Sequence, residues 1–366
     1  MNEQIVQSEG AVVVVGASLA GLMTGIALAR AGLKVTILDR VGPNPRSGAV
    51  LQVDSGERDF SETAKSLRKL ASGGLRSAEA WSSIQSRLSA EAIADTRIEL
   101  IYDSRIKSVH QDNDRAWVVT DRGKTFSGDM VIGADGHRSI VRRMVAPQKP
   151  DATFAGYMIW VAILNEEDIP EKYWPAVNAP VSMPDGIGDF LLGSVIEGAD
   201  GSRKRGERRL GWAWYDNTRN DLLRELGCVE GRLVHHSLAG NDIPEHALNE
   251  LAEQATNRWP QPWLAAILHN IQTRSLTGIP VAEYVPDKLA NGRIAIAGDA
   301  AHVLTPLTAA GFNASLQDAA TLTDCIVDQS GKYDPISALS QYETLRLNTV
   351  RQIVQSGQSF SRSFGR

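Results

Sequence analysis

Three widely separated segments of the 366-residue chain carry the glycine and aspartate residues that nucleotide sites use. They are residues 16–21, 133–142 and 292–306. A glycine turn that opens a helix directs backbone amides and the positive end of the helix dipole toward a phosphate. An aspartate at the end of the next strand can accept hydrogen bonds from ribose hydroxyls. The three segments together predict one nucleotide site assembled from distant parts of the chain.

The first segment follows the apolar run 12–15 and precedes apolar residues at helical spacing. Gly16 permits the tight turn and Gly21 lets the helix pack close to the sheet, while Ser18 stands where a glycine is usual and adds a hydroxyl. Asp39 comes 18 residues after Gly21, at the end of the second strand. The predicted dinucleotide contacts of this region are Gly16, Ser18, Leu19, Ala20, Gly21, Asp39 and Arg40. This motif alone leaves FAD and NAD as alternatives.

The elements that must position these residues alternate between strand and helix at the start of the chain. Residues 11–40 follow the pattern strand, glycine turn, helix and strand, and continuously apolar strands are typical of a sheet buried on both faces. Strand-like segments at 158–164, 190–196 and 210–215 then predict an antiparallel sheet. Residues 294–297 return as a strand of the first domain. The predicted fold class is α/β (α+β), with an antiparallel sheet inserted into a Rossmann-like nucleotide-binding fold.

The composition is that of an ordinary globular protein of about two domains. A net charge of -5 and a pI near 5.9 argue against nucleic acid as a partner. Cys228 and Cys325 are far apart, which excludes a disulfide framework and fits a reducing cytosol. No apolar run reaches the ~20 residues that span a bilayer. We therefore expect a cytoplasmic protein with no membrane, nucleic-acid or metal site, and a tail at residues 355–366 that frays.

The second and third segments distinguish FAD from NAD. The second contains Asp135, and the third contains the run Gly-Asp-Ala-Ala-His at 298–302, followed by Pro306. With the first segment they resemble the FAD-binding set of the single-component aromatic-ring hydroxylases, which are flavoprotein monooxygenases of the para-hydroxybenzoate hydroxylase type. The resemblance covers most of the chain. It implies an FAD-binding domain in residues 1–150 and 276–335, an inserted antiparallel-sheet substrate domain in residues 151–275, and a C-terminal helix and tail in residues 336–366.

The resemblance also assigns cofactor contacts. In the resembled family, the aspartate that corresponds to Asp299 faces the ribityl chain of FAD, and the segment after it brings helix amides toward the flavin pyrimidine ring. Ala309 stands where the family usually has a glycine. Trp81 stands where many members have a phosphate-binding Arg or Gln, a contact that Arg40 and Arg46 could replace. The further FAD contacts implied are Arg46, Val50, Asp135, Asp299, Pro306, Ala310, Gly311, Phe312 and Asn313.

Within the family, the chain resembles the 2,6-dihydroxypyridine 3-hydroxylase branch. Residues 156–160 and 211–215 carry this resemblance, together with the serine of the first glycine loop. Val161 stands where an arginine often follows the tryptophan, so an anion or carbonyl contact is absent at that position. The branch implies a small aromatic or heteroaromatic substrate.

Three residues are candidate catalytic residues. Tyr215 lies on the inserted sheet, and its hydroxyl could orient or deprotonate a phenolic or hydroxypyridine substrate. Gln52 follows the loop that approaches the flavin, and His302 lies three residues after Asp299. Tyr215 and His302 each have a structural alternative, because buried aromatic residues and single histidines more often pack or hydrogen-bond within a core.

The resemblance implies a reaction. NADH or NADPH reduces bound FAD, O2 adds at flavin C4a, and the resulting hydroperoxide transfers an OH to an electron-rich aromatic or N-heteroaromatic ring. A flavin-dependent oxidase or epoxidase acting on a non-aromatic small molecule is one alternative, and an FAD-bearing binding protein is another. A halogenase is disfavoured, because residues 212–217 supply its two tryptophans without the Ile-Pro that it requires. The family also suggests a homodimer.

Overall fold

The computed structural model describes residues 10–43, 50–54, 56–57, 59–72, 77–176, 181–184, 190–326 and 334–365. The predicted cofactor contact Arg46 lies outside the described residues. The described part of the chain forms nine α-helices and nineteen strands. The helices are α1 (Leu19–Arg30), α2 (Glu62–Ser72), α3 (Trp81–Ala94), α4 (Arg142–Val145), α5 (Asn220–Glu225), α6 (Glu245–Arg258), α7 (Trp263–Gln272), α8 (Gly311–Ile326) and α9 (Pro335–Phe364). The strands are β1 (Ala11–Val15), β2 (Lys34–Leu38), β3 (Val50–Val53), β4 (Ser77–Ala80), β5 (Ile98–Ile101), β6 (Ile106–Gln111), β7 (Ala116–Thr120), β8 (Thr125–Gly128), β9 (Met130–Gly133), β10 (Thr153–Asn165), β11 (Val181–Pro184), β12 (Phe190–Ile196), β13 (Arg209–Asp216), β14 (Val229–Glu230), β15 (Leu233–Val234), β16 (Leu238–Ala239), β17 (Thr277–Glu283), β18 (Ala290–Asn291) and β19 (Ile294–Ile296).

A six-stranded sheet forms the centre of the first core, in the order β18-β19-β9-β1-β2-β5. Its neighbouring strands are parallel, except that β18 runs antiparallel to β19. β9 is buried along its whole length, and α1 packs against α3 and α8. Helices cover continuously apolar strands, as expected when both faces of a parallel sheet are buried. The predicted order of strand, turn, helix and strand at the amino terminus is therefore confirmed.

A second six-stranded sheet is antiparallel, in the order β11-β12-β13-β10-β17-β16. On β13, Trp212 and Trp214 share one face, which packs into a core with α6 and α7. Ala213 and Tyr215 share the opposite face, as the two-residue period of a strand requires. We call this second face the inner face; it consists of the apolar residues of β10, β12, β13 and β17 that cluster around Tyr215. The predicted α/β (α+β) class with an antiparallel sheet is confirmed.

Two features of the carboxyl-terminal half differ in extent from the sequence analysis. β17 pairs with β10, so the antiparallel sheet continues to Glu283, whereas the sequence predicts the domain boundary at residue 275. The division into domains stays a prediction. The expectation that the tail frays from residue 355 is wrong, because α9 continues to Phe364. The ring of Phe364 lies 5.1 Å from the ring of Tyr157, and Phe360 packs at 6.0 Å from it, so this buried contact holds the last turns.

Candidate active site

A crevice of about 520 Å³ opens where the parallel strands β1, β2 and β9 end. In open α/β sheets, ligands bind outside the carboxyl ends of the strands, where this crevice lies. The predicted cofactor residues that line it are Gly16, Ser18, Asp39, Arg40, Asp135 and Asp299. Residues from three distant parts of the chain thus meet at one cavity, which is the arrangement that the motif spacing predicted.

The turn between β1 and α1 presents free backbone donors to this crevice. Gly16 has a φ of +107°, and an added Cβ would lie 2.3 Å from the carbonyl oxygen of Ala134, so only glycine fits there. The Ser18 side chain is exposed and makes no capping hydrogen bond to α1. Leu22 donates the first helical bond, to the carbonyl of Ser18, so the amides before it lack helical partners. An anion such as a pyrophosphate fits these donors and the positive end of α1.

Asp39 already holds the backbone of this turn. One carboxylate oxygen accepts from the amide of Ala17 at 2.7 Å, and the other accepts from the amide of Val41 at 2.9 Å. An ionised carboxylate offers about four lone-pair positions, so hydroxyl groups in the crevice can still donate to it. Asp39 therefore shapes the glycine turn and still has acceptor positions available at the crevice.

Asp135 is directed mainly toward its own loop. Its carboxylate accepts from the hydroxyl of Ser139 and from the amides of Ile140 and Val141, at 2.7 and 3.3 Å for the amides. Burial raises the pKa of Asp135, and these donors oppose the rise. The position of Asp135 favours a role in shaping the loop that forms one wall of the crevice.

Arg142 joins this loop to the third motif. Its side chain is fully buried and donates to the carbonyl of Pro150 at 2.8 Å and to the carbonyl of Ala300 at 3.0 Å. The guanidinium carbon also lies 4.3 Å from the centre of the Tyr284 ring, a cation–π distance. The contacts of Arg142 therefore fix the second and third motifs to each other.

Asp299 lies in the short helical turn Gly298–Ala300, and its side chain is exposed to the crevice. Although its side chain reaches the crevice, nearby protein atoms displace part of the water around the Asp299 carboxylate and raise its pKa, while His302 and Arg142 oppose the shift. A carboxyl group in this position can exchange hydrogen bonds with the hydroxyls of a polyol chain.

His302 points away from the crevice into the core. It is 0% exposed, and its Nε2 lies 2.6 Å from Oδ2 of Asp318. The other oxygen of Asp318 accepts from Nε of Arg346 at 2.9 Å, and Oδ2 also accepts from the amide of Gly298 at 3.0 Å. These contacts favour a structural role for His302, in which a buried cluster supports the Asp299 turn. Sequence reasoning missed Asp318 and Arg346, because their partners lie on separate elements and form no local pattern.

The segment after Asp299 faces the antiparallel sheet and lies outside the crevice lining. Pro306–Thr308 forms a short helical turn, and Ala309 has a left-handed φ of +50° at the position where the family usually has glycine. Leu307 packs against the inner face. α8 begins at Gly311, so its first amides lack helical partners. The predicted cofactor residues that do not line the 520 Å³ cavity are Leu19, Ala20, Gly21, Val50, Pro306, Ala310, Gly311, Phe312 and Asn313.

The inner face forms an apolar wall opposite this turn. Leu192, Ala213 and Ile279 are only partly buried there, so the wall has accessible surface. Val50 on β3 packs closely against Gly211. A Cβ added to that glycine would lie 2.2 Å from Cγ2 of Val50, so the contact leaves no room for a side chain. Gln52 is exposed, two residues along the same strand, and therefore projects from the same face as Val50. The inner face thus presents apolar side chains, with β3 and the exposed Gln52 beside it.

Tyr215 lies at one end of the inner face and is 1% exposed. Its ring centre lies 6.2 Å from that of Tyr157 and 5.6 Å from that of Phe190. Burial raises the pKa of Tyr215, and the neighbouring Tyr157 adds to the rise. The hydroxyl therefore stays protonated at neutral pH and can take part in hydrogen bonds as a neutral group.

No cluster of His, Cys, Asp and Glu that could hold a metal ion occurs in the described parts of the chain. Among the same residues, no helix has the length and apolar character needed to cross a bilayer.

Comparison with known proteins identifies the family. A family model for an FAD binding domain matches residues 9–52 and 81–357. A 2,6-dihydroxypyridine 3-monooxygenase from Paenarthrobacter nicotinovorans is 26% identical over 362 residues, covering 92% of this chain and 87% of that protein. A 3-hydroxybenzoate 6-hydroxylase from Klebsiella oxytoca is 23% identical over 394 residues, covering 96% of this chain and 88% of that protein. The structure of 2,6-dihydroxypyridine-3-hydroxylase from Arthrobacter nicotinovorans is similar with a TM-score of 0.76 at 22% identity, covering 98% of this chain and 94% of that one. The chain therefore belongs to the FAD binding domain family, and its similarity to hydroxylases and monooxygenases confirms the resemblance predicted from the motifs.

Proposed function

We propose that the chain is an NAD(P)H- and O2-dependent flavoprotein monooxygenase that hydroxylates an electron-rich aromatic or N-heteroaromatic small molecule. The observation that carries the proposal is the crevice at the ends of the parallel strands, which collects Gly16, Asp39 and Asp299. FAD bound there would supply the redox chemistry, in which a hydride from NAD(P)H reduces the flavin and O2 delivers one oxygen atom to the ring and the other to water. Relatives named for 2,6-dihydroxypyridine and 3-hydroxybenzoate support an aromatic or heteroaromatic substrate.

The residues of the chain divide the binding of FAD between two helix ends. The free amides at the start of α1 would hold the pyrophosphate, and Asp39 would accept from the adenosine ribose. Asp299 would bind the hydroxyls of the ribityl chain. The free amides at the start of α8 would face the pyrimidine edge of the flavin, where the helix dipole stabilises negative charge.

We place the substrate between the inner face and the turn Pro306–Thr308. Apolar groups such as Leu192, Ala213 and Ile279 would exclude water from the ring. Tyr215 would orient the substrate through a neutral hydroxyl, because its raised pKa opposes the phenolate form that a general base requires. Gln52 is the second polar group that we place at this space.

We further propose that the enzyme acts in the cytoplasm, since Cys228 and Cys325 are far apart in the sequence and form no disulfide, as is usual in reducing compartments. A homodimer stays a prediction from the family, and sedimentation of the purified protein tests it.

The proposed function is tested with purified protein and added FAD. We expect a yellow protein that oxidises NADH or NADPH slowly alone and faster with a hydroxylated pyridine or phenol. With labelled ¹⁸O2, one label should enter the product. Failure to take up FAD would refute the proposal, and an unlabelled product formed with release of H2O2 would identify an oxidase.

Replacing Asp39 by alanine should weaken FAD binding about 10- to 100-fold. A hydrogen bond to a charged group contributes about 1.5–3 kcal/mol, and loss of the carboxylate also releases the amide of Ala17. Asp39→Asn should lose less FAD affinity than Asp39→Ala, because an amide oxygen can still accept from the amide of Ala17. The dissociation constant of FAD, measured by fluorescence quenching, tests this order.

Asp112→Ala is the control, since Asp112 also accepts from two backbone amides but does not line the crevice. Equal losses of FAD affinity in Asp39→Ala and Asp112→Ala would contradict the role of Asp39.

Replacing Tyr215 by phenylalanine should raise the substrate KM about tenfold, because about 1.4 kcal/mol of hydrogen bonding is lost while the stacked ring remains. The pH profile of kcat/KM should keep its shape, since a neutral hydroxyl does not titrate near neutrality. Steady-state kinetics across pH measures both quantities. Loss of one limb of the profile would instead identify Tyr215 as a general base.

A further inference from the structure

A buried ion cluster lies between α2 and the start of α8, outside the crevice lining. The side chain of Arg68 is 3% exposed and that of Asp59 is 2% exposed. Arg68 donates from Nε and Nη2 to the two carboxylate oxygens of Asp59, the second contact at 2.9 Å. Nη1 of Arg68 lies 2.7 Å from Oδ1 of Asp54. One guanidinium therefore joins two carboxylates, Asp54 and Asp59, of the segment that follows β3.

The same cluster reaches the first two turns of α8. Nη2 of Arg68 also donates to Oδ1 of Asn313, which lies in the first turn. Gln317, one turn later, donates from Nε2 to Oδ1 of Asp59 at 2.7 Å. Two independent hydrogen bonds thus connect α8 to Arg68 and Asp59, and the start of this helix cannot shift without breaking them.

Stability alone does not account for this cluster. Removing an arginine and a carboxylate from water costs several kcal/mol per ion, and apolar residues of similar volume often replace buried ion pairs without loss. A guanidinium paired on two sides does provide fixed geometry, because its planar donors allow few orientations. Charged residues buried in this way define distances between the elements that they join.

The two elements joined are those that the proposed function places against the flavin. β3 carries Val50 and Gln52 and leads directly to Asp54. α8 offers its first amides to the flavin, and a helix stabilises negative charge only near its first turn. A small displacement of that turn would weaken the hydrogen bonds between its amides and the flavin, because hydrogen bonds depend steeply on distance and angle.

We propose that Arg68 is a positioning residue for the cofactor: by fixing Asn313 to Asp54 and Asp59, it holds the first turn of α8 at the flavin. The inference rests on the proposed function. It concerns a residue that does not line the crevice and that acts only through Asn313 and the segment after β3. Reduced flavin, which carries negative charge, should depend on this link more than oxidised flavin.

The variants Arg68→Lys, Asn313→Ala and their double variant test the proposal in the FAD-loaded protein. Each single variant should raise the FAD dissociation constant about tenfold and make the flavin reduction potential more negative. The double variant should lose no more FAD affinity than the more affected single variant, because both changes break the same link. FAD titration gives the dissociation constant, and a spectroscopic reduction titration gives the reduction potential. A general loss of stability would not shift the reduction potential of the bound flavin.

Arg208→Met is the matched control. Arg208 is 5% exposed, bonds to the fully buried Glu166, and belongs to the antiparallel-sheet half of the chain. This variant should lose stability without changing the flavin potential.

Additive effects on the FAD dissociation constant in the double variant would overturn the inference. An unchanged flavin reduction potential in Asn313→Ala would also overturn it, and this second test holds even if Arg68→Lys does not fold. If the wild-type chain binds FAD and the variants keep its dissociation constant and reduction potential, only this inference is overturned. If the wild-type chain binds no FAD, the proposed function is overturned as well.

Discussion

Replacing Gly16 by alanine should destabilise the fold by about 2–6 kcal/mol and remove FAD binding. A non-glycine residue at positive φ costs about 1–3 kcal/mol, and forcing an extra methyl group into packed structure costs about 1–3 kcal/mol more. The added Cβ would meet the carbonyl oxygen of Ala134 at 2.3 Å, and this atom belongs to the backbone of the Asp135 loop. The loop would move, and the crevice would lose its shape.

The control for this substitution is Gly32→Ala. Gly32 has a φ of +98°, but nothing lies within 4 Å of an added Cβ, so the variant carries the backbone strain without the collision. Urea unfolding of both variants without cofactor gives the difference in free energy of unfolding, and FAD titration gives the difference in affinity. A Gly16→Ala protein as stable as Gly32→Ala, or one that binds FAD normally, would contradict the close approach of Gly16 to Ala134.

Replacing Asp318 by asparagine should lower the free energy of unfolding by about 3–5 kcal/mol at pH 7, the usual loss when one partner of a buried ion pair is removed. Asp318 is fully buried between His302 and Arg346, and it also accepts from the amide of Gly298. In the variant, Arg346 would remain buried with no counter-charge, and the Asp299 turn would lose its support.

The effect of Asp318 should depend on pH with a defined sign. Burial would raise the pKa of Asp318, but His302 and Arg346 and the hydrogen bonds to its carboxylate outweigh burial and lower it. Because the pKa is lower in the folded state, the stabilisation is present above the unfolded value of about 3.9 and is lost as the pH falls through the folded value. The difference between wild type and Asp318→Asn should therefore shrink in acid.

Unfolding measured from pH 7 downward checks this dependence. Asp221→Asn is the control, because the Asp221 side chain is fully exposed in a surface pair and its loss should leave stability essentially unchanged. A constant difference between wild type and Asp318→Asn across the acid range would show that Asp318 does not contribute through its charge.

Contiguous motifs predicted the nucleotide crevice well. The run 12–15, the turn at Gly16 and Asp39 lie within one short stretch of chain, and local backbone requirements are visible in such a stretch. The same reasoning failed at the tail, where the Ser- and Gly-rich residues from 355 gave no sign of helix. There the aromatic contact of Phe364 with Tyr157 overrides local propensity, and only the folded chain brings these rings together.

The polar residues show the limit more clearly. From its position after Asp299, His302 is a candidate at the flavin with a structural role as the alternative, and in the structure its ring pairs with Asp318 in the core. Nothing in the sequence indicated that Arg68 reaches α8, because Asn313 lies 245 residues away. No pattern in the chain tells whether a polar side chain faces a cavity or pairs inside the core, since long-range burial decides the direction.

The amino-acid sequence by itself therefore determined the family, the class of fold and the glycine turn between β1 and α1. These features depend on short-range geometry, on where glycine is needed and where an apolar strand ends. The tertiary structure alone decided which charged groups face the crevice and which pair with each other, because removal from water makes an unpaired charge costly and so favours a partner for each buried charge.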